Sequence, residues 1–195
     1  SGLRNSLLAP IFNYEGYRMI PKRIPNVTFQ CRVGDEQPEE GGCPIGGEYV
    51  GLSSTELFGG KKVILFSLPG AFTPTCSTYQ LPGFEENYQK FKDAGIDEIY
   101  VVSVNDSFVM NAWAKHLGIK NVKVIPDGNG EFTSGMGMIT DKSDVCFGNR
   151  SWRYACIVND NAIEKWFIEP KDSGENDPYG ETSPENVAKH LGLAI

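Results

Sequence analysis

The sequence predicts an α/β fold in which one mixed central β-sheet is flanked by helices, and three observations carry that expectation. "KKVILFSL", "EIYVVSVND" and "VKVIPD" are apolar runs of strand length, helical patterns lie between them, and "RSWRYACIV" and "AIEKWFIE" flank the turn signal "NDN". A near-continuous apolar strand is one covered on both faces. The order strand, helix, strand, helix, strand implies parallel pairing through crossover connections. Asn159-Asp160-Asn161 between two alternating runs implies an antiparallel hairpin, so the sheet is mixed.

Taken along the chain, residues 1–25 show no strong period and read as an N-terminal extension. The first convincing strand is "NVTFQCRV", where Val27, Phe29 and Cys31 alternate with polar neighbours. Residues 34–51, "GDEQPEEGGCPIGGEYVG", are rich in Gly and acids and read as a loop insertion or loose hairpin. "SSTELF" is a capped helical turn ahead of the first apolar strand. Thr75 to Asp93 carries Phe84, Tyr88 and Phe91 at helical spacing, with Gly95 as the stop. "NDSFVMNAWAKHLG" is a capped amphipathic helix. In the tail, Ser183 caps a short helix with Pro184 at its first position.

With 195 residues, 40% of them hydrophobic and 11% aromatic, the chain is one domain over residues 1–195 and can bury a substantial core. A net charge of −7 without any basic run argues against nucleic acid and against an acidic membrane surface. No apolar run approaches the roughly 20 residues of a membrane helix. Five scattered cysteines, an odd number, read as free thiols in a reducing setting, cytoplasmic or organellar. The opening Ser1-Gly2 reads as a remnant, so a removed targeting segment is part of the expectation.

Cys76 stands apart from the other four. It lies downstream of an apolar strand in the first helical turn after Pro74, where unpaired N–H groups and the helix dipole favour negative charge. An ordinary thiol, with a pKa of about 8.5, is only a few per cent ionised near neutrality. Lowering that value by two to three units takes about 3 to 4 kcal/mol, of which a helix terminus supplies about 0.3 to 2. A cation bonded to sulfur adds about 1.5 to 3 kcal/mol, so an Arg, Lys or protonated His must stand nearby. His116 and His190, the two histidines, read as surface residues on an exposed helix and in the tail, which weakens a Cys-His hydrolase. No Cys-x-x-Cys or His-x-x-His spacing supports a metal site, and neither "GNGEFT" nor "FGGKKV" completes a nucleotide loop. Cofactor and metal are expected to be absent.

Pro69, Thr73 and Cys76 make the pattern P-x-x-x-T-x-x-C, and with "LPGAFTPTCS", "VSVND.FVMNAW", "PDGNGEFT" and "FGNRSWRY" the chain resembles the type-five peroxiredoxins from about Pro25 to Pro170. That resemblance implies a thioredoxin-like fold, reduction of hydrogen peroxide and organic hydroperoxides, and a homodimer meeting near Phe72 and the "SFVMNAW" helix. It makes Cys76 the peroxidatic thiolate, Thr73 a hydroxyl bound to sulfur and peroxide oxygen, Pro69 a shield against solvent and Arg153 the cation. Arg150 competes with Arg153. Strand alternation favours Arg153, sending it with Ala155 and Ile157 to one face and Trp152, Tyr154 and Cys156 to the other.

The chain also departs from its relatives. It has no cysteine after Cys156, where several relatives carry a resolving thiol, so a one-cysteine cycle is expected. Cys156 and Cys31 read as core, Cys146 as structural or partly exposed, and Cys43 as the one accessory redox candidate. Gln80 stands where many relatives have histidine. The N-terminal segment resembles bacterial type-five enzymes fused to glutaredoxin, which implies glutathione with a separate glutaredoxin as reductant, with thioredoxin as the alternative. A peroxide sensor or redox relay using the same Cys76 is the competing function.

Overall fold

The computed structural model describes residues 12–15, 18–36, 38, 42–171 and 177–195, with the side chains of residues 12–15, 18–19 and 76 outside that description. Two short strands, β1 (Phe12–Glu15) and β2 (Arg18–Pro21), pair antiparallel within the stretch that shows no period in sequence. β3 (Thr28–Glu36) and β4 (Ile45–Ser53) form a second antiparallel pair. The insertion expected over residues 34–51 is therefore largely strand. Its ladder runs to Glu36↔Ile45, and left-handed Gly34, Gly46 and Gly47 lie in the paired region where a strand would ordinarily carry bulky residues. Residues 37 and 39–41 lie outside the description.

α1 (Ser54–Phe58) begins with a complete capping box: Ser53 Oγ accepts from the Glu56 amide, and the Glu56 carboxylate accepts from the Ser53 amide. β5 (Lys62–Ser67) follows and leads through a loop into a π-helical turn (Cys76–Gln80), α2 (Leu81–Glu86) and α3 (Tyr88–Asp93). The single helix expected here is thus divided. Pro82 has no N–H for the carbonyl four residues back, which suits a wider turn before it. At Asn87 the side-chain amide donates to the Gly83 carbonyl at 2.9 Å, competing with the backbone ladder.

β6 (Glu98–Ser103), α4 (Ser107–His116), β7 (Lys123–Pro126) and α5 (Glu131–Gly135) complete the crossover half. β8 (Ile139–Asp141) and β9 (Asn149–Ser151) form a small ribbon. β10 (Tyr154–Asn159) and β11 (Ala162–Ile168) are the expected hairpin, turning at Asp160 and Asn161, both with positive φ. α6 (Pro184–His190) has Ser183 as its N-cap, as the tail sequence implies.

The main sheet runs β11-β10-β5-β6-β7, with β5, β6 and β7 parallel and β10 antiparallel to both its neighbours. Side-chain alternation sends Ile64, Phe66, Val101, Ala155 and Ile157 to one face, where α2, α3, α4 and α6 cover them. Val63, Leu65, Val102, Tyr154 and Cys156 go to the other, beneath Phe29, Phe58 and Phe132. α6 reaches α2 because residue 83 is glycine; a Cβ there would stand 2.8 Å from Pro184 Cγ.

Phe84 from α2 stacks on Phe66 from β5 with ring centroids 4.4 Å apart, both rings fully buried. Phe84→Ala is expected to cost about 3 to 5 kcal/mol of stability through lost transfer energy and the cavity left behind, read from denaturant unfolding curves. A loss under about 1 kcal/mol would mean that the helical layer does not depend on this pair.

Candidate active site

The loop after β5 is braced from several directions. The Ala71 amide donates to Asn105 Oδ1 at 3.0 Å, and the same oxygen accepts from Ser103 Oγ at 2.7 Å, so the end of β6 holds the loop. Phe72 takes a left-handed conformation with φ 61° and leaves its ring 52% exposed. A non-glycine residue in that region is uncommon and is retained only where its surroundings impose it.

Pro69 is buried beside this loop, and its carbonyl accepts from Arg150 Nη1 at 3.3 Å. Arg150 Nε donates to the Phe147 carbonyl, and its guanidinium lies over the Phe147 ring. Gly70 makes the approach possible, since a Cβ there would meet Arg150 Nη1 at 2.8 Å. Thr73 is half-buried, and its hydroxyl donates to the Gly70 carbonyl at 2.7 Å. The Ser77 amide returns to the Thr73 carbonyl at 3.0 Å, closing the turn on whose backbone Cys76 sits. Cys76 opens the π-helical turn; its side chain lies outside the described residues.

Two contacts fix that turn beyond Cys76. Trp113 from α4, fully buried, donates its indole N–H to Ser77 Oγ at 2.9 Å. Gln80, also fully buried, accepts from Arg153 Nη1 through Oε1 and donates through Nε2 to Thr182 Oγ1 at 3.1 Å. An amide can accept from a cation and donate to a hydroxyl at once. Gln80 is thus a structural link between Arg153 and the tail, a role the sequence comparison with histidine did not suggest.

Arg153 lies one residue ahead of β10 rather than inside it, with its carbonyl accepting from the Glu169 amide. The alternation nonetheless holds: Arg153 points to the α2 side, whereas Trp152, Tyr154 and Cys156 pack on the opposite face. Its guanidinium is 1% exposed. Burying that charge is costly without partners, and Nη2 donates to Asp177 Oδ1 at 2.6 Å while the Tyr179 ring lies 5.8 Å from Cζ. Behind Thr182 stands Glu169, 2% exposed, whose Oε1 accepts from the Gly180 amide, the Thr182 amide and Thr182 Oγ1 at 2.7 to 2.9 Å. Sequence reasoning missed Asp177, Thr182 and Glu169. The one local signal was the acid closing the apolar run "WFIEP", since a carboxylate at the end of a buried strand needs donors.

The remaining thiols are spread out. Cys156 is fully buried and burial drives its thiol far above the ordinary value. Cys31 is half-buried rather than core, and its thiol is raised by desolvation. Cys43 and Cys146 are exposed. His116 is exposed on α4 against the Phe72 ring, and His190 ends α6 against Phe167. Among the described residues, no group of three or more His, Cys, Asp or Glu could hold a metal ion, and no helix is long and apolar enough to cross a membrane.

Comparison with known proteins places this geometry in context. The Redoxin family matches residues 23–182. A peroxiredoxin of Rhizobium etli is 55% identical over 173 residues, covering 87% of this chain and 94% of that protein. The hybrid peroxiredoxin hyPrx5 of Haemophilus influenzae is 48% identical over 170 residues, covering 87% of this chain and 65% of its own length. Among solved structures, the Plasmodium falciparum antioxidant protein, a 1-Cys peroxiredoxin, superposes with a TM-score of 0.77 at 40% identity, covering 87% of this chain and 96% of that one.

The exposures give a direct check. Of the four thiols other than Cys76, iodoacetamide is expected to label Cys43 and Cys146 first, Cys31 slowly, and Cys156 only after unfolding of the protein, as read by mass spectrometry of the alkylated peptides. Rapid native labelling of Cys156 would contradict its place beneath Tyr154 and Trp152.

Proposed function

This chain belongs to the peroxiredoxins, thiol-dependent peroxidases with a thioredoxin-like fold and here a type-five resemblance, and from that premise we propose that Cys76 carries turnover by a one-cysteine cycle. The observation that supports the assignment best is the guanidinium of Arg153, 1% exposed and bonded to Gln80 at the end of the same π-helical turn that Cys76 begins. A cation so placed, together with the amides of that turn, favours the thiolate.

The reaction then follows from charge. The Cys76 sulfur anion attacks one oxygen of the hydroperoxide; an S–O bond forms and the O–O bond breaks. The departing alkoxide or hydroxide takes a proton and leaves as alcohol or water, and the sulfur, oxidised by two electrons, becomes a sulfenic acid. Donors oriented toward the departing oxygen lower the barrier, with Arg153 and backbone N–H groups in that role, Thr73 aligning the peroxide and Pro69 keeping water out. No cofactor or metal takes part.

Glutathione thiol next condenses with the sulfenic acid, giving a mixed disulfide and water. A second glutathione, delivered through glutaredoxin, releases the Cys76 thiol and oxidised glutathione. Two observations support this route: residues 157–195 contain no cysteine, and the Haemophilus relative is named as a hybrid peroxiredoxin. A reducing compartment, cytoplasmic or organellar, suits it. A homodimer through the face carrying Phe72, 52% exposed, and Phe108, 37% exposed, belongs to the same reading.

Cys76→Ser is expected to abolish peroxide consumption, and Arg153→Ala to slow sulfur oxidation by about 10²- to 10³-fold, both followed by stopped-flow with hydrogen peroxide. Wild-type rates with glutathione plus glutaredoxin should exceed those with a thioredoxin system, and turnover with thioredoxin alone would overturn the reductant assignment. Phe72→Glu should shift the sedimentation coefficient from dimer to monomer; an unchanged value would move the interface elsewhere.

A further inference from the structure

We infer that Asp177 is a positioning residue that holds Arg153 by its outer nitrogen and sets how acidic, and therefore how nucleophilic, the Cys76 thiol is; this rests on Cys76 being the reacting group. Among the described residues, the guanidinium of Arg153 bonds two side chains of different character. Nη1 donates to Gln80, a neutral amide inside the helical layer, and Nη2 donates at 2.6 Å to Asp177, a carboxylate whose side chain is 35% exposed. The first contact orients the cation without altering its charge. The second brings a full negative charge onto the same cation that is to stabilise a thiolate, so thiolate and Asp177 compete for one positive field.

The segment that carries Asp177 is built to keep it there. Gly180 and Thr182 hang from the buried Glu169, and Thr182 in turn receives Gln80. The Tyr179 ring, between these anchors and Asp177, lies over Arg153 on one side and stacks on Tyr79 at a centroid distance of 6.4 Å. Asp177 through Thr182 is therefore a strap across the guanidinium, tied at one end to the sheet and resting on the helical turn that begins with Cys76.

The charged and titratable groups near Arg153 can be separated. Tyr179 from the strap has its hydroxyl pushed up to about 12, mainly by burial, with Glu185 and Glu169 adding to the rise and Arg153 opposing it, so it stays neutral under assay conditions. Glu169 at the end of β11 acts through Thr182, and Glu185 of α6 lies beyond Tyr179. Tyr79 and Gln80 come from the helical turn. Of these carboxylates, Asp177 is the one bonded to the guanidinium itself.

Removing the charge at 177 has two opposed consequences, and their combination distinguishes this role from a structural one. Cys76 becomes more acidic, because an anion that competes with it for Arg153 is gone. The thiolate becomes less nucleophilic as its basicity falls, and a guanidinium that has lost its Asp177 bond is less well aimed.

The test measures alkylation of the Cys76 peptide against pH by mass spectrometry, together with sulfur oxidation by hydrogen peroxide, in wild type, Asp177→Asn, Asp177→Ala and Asp177→Glu. For the Asn and Ala variants, alkylation near pH 6 should rise about fivefold while the high-pH plateau for peroxide oxidation falls about threefold to tenfold. Asp177→Glu should restore the wild-type pH profile. Circular dichroism identifies which neutral variant is folded, and either one decides. An alkylation profile unchanged by neutralisation overturns the proposal, as does a plateau rate that rises with it. Failure of the underlying reading looks different: the wild-type Cys76 peptide would then show an ordinary thiol titration and Cys76→Ser would retain turnover.

Discussion

A single buried cation organises the functional end of this protein. Arg153, 1% exposed, sits at the mouth of β10, where β-sheet, helical layer and tail meet. A guanidinium removed from water demands partners with good geometry, or the cost of desolvation runs to several kcal/mol. The partners come from places distant in sequence: Gln80 from the turn that Cys76 opens, 73 residues away, and Asp177 from the tail, 24 residues on. Meeting the needs of one charge therefore brings together three segments that the sheet alone would not hold in register.

The arrangement also explains why polar residues are tolerated so deep. Gln80, Thr182 and Glu169 are all buried, and each satisfies its neighbour in a chain running from the cation to backbone amides at Gly180 and Thr182. Such networks are favourable only when complete. Arg150 serves a different purpose, holding the Pro69 carbonyl from the β9 ribbon and passing close over Gly70. The two arginines that competed in the sequence thus share the site: one secures the loop before Cys76, the other the turn after it.

Much of this was legible in the order of residues because the relevant physics is local or periodic. The two-faced apolar strands, the Ser53 and Ser183 caps, the Asn159 to Asn161 turn and the facing of Arg153 opposite Cys156 all follow from period and capping chemistry, and all appear as expected. The spacing of Pro69, Thr73 and Cys76 on one loop and turn is likewise present, although Arg153 stands just ahead of its strand. What escaped depends on pairing across distance or on composition that hides a period. The length of the β3–β4 ladder, read from sequence as a loop or loose hairpin, is masked by glycines and acids, and Cys31, on the same face as Phe29, packs against the core only in part. At the break between α2 and α3 the Asn87 side chain bonds the Gly83 carbonyl, a contact that helical period does not encode. Asp177 gave no local sign, since an acid before Pro178 in a polar, acid-rich tail is compositionally ordinary.

The bond from Trp113 to Ser77 places an indole in direct contact with the residue that follows Cys76. Indole emission responds to loss of a hydrogen bond and to entry of water, and this ring is fully buried whereas Trp166 is only partly so. Trp113 is consequently an intrinsic optical gauge of the turn: any unwinding that follows oxidation of the neighbouring sulfur should appear as a fluorescence change without an added label. Subtracting the signal of a Trp113→Phe protein would isolate that contribution from the other two indoles.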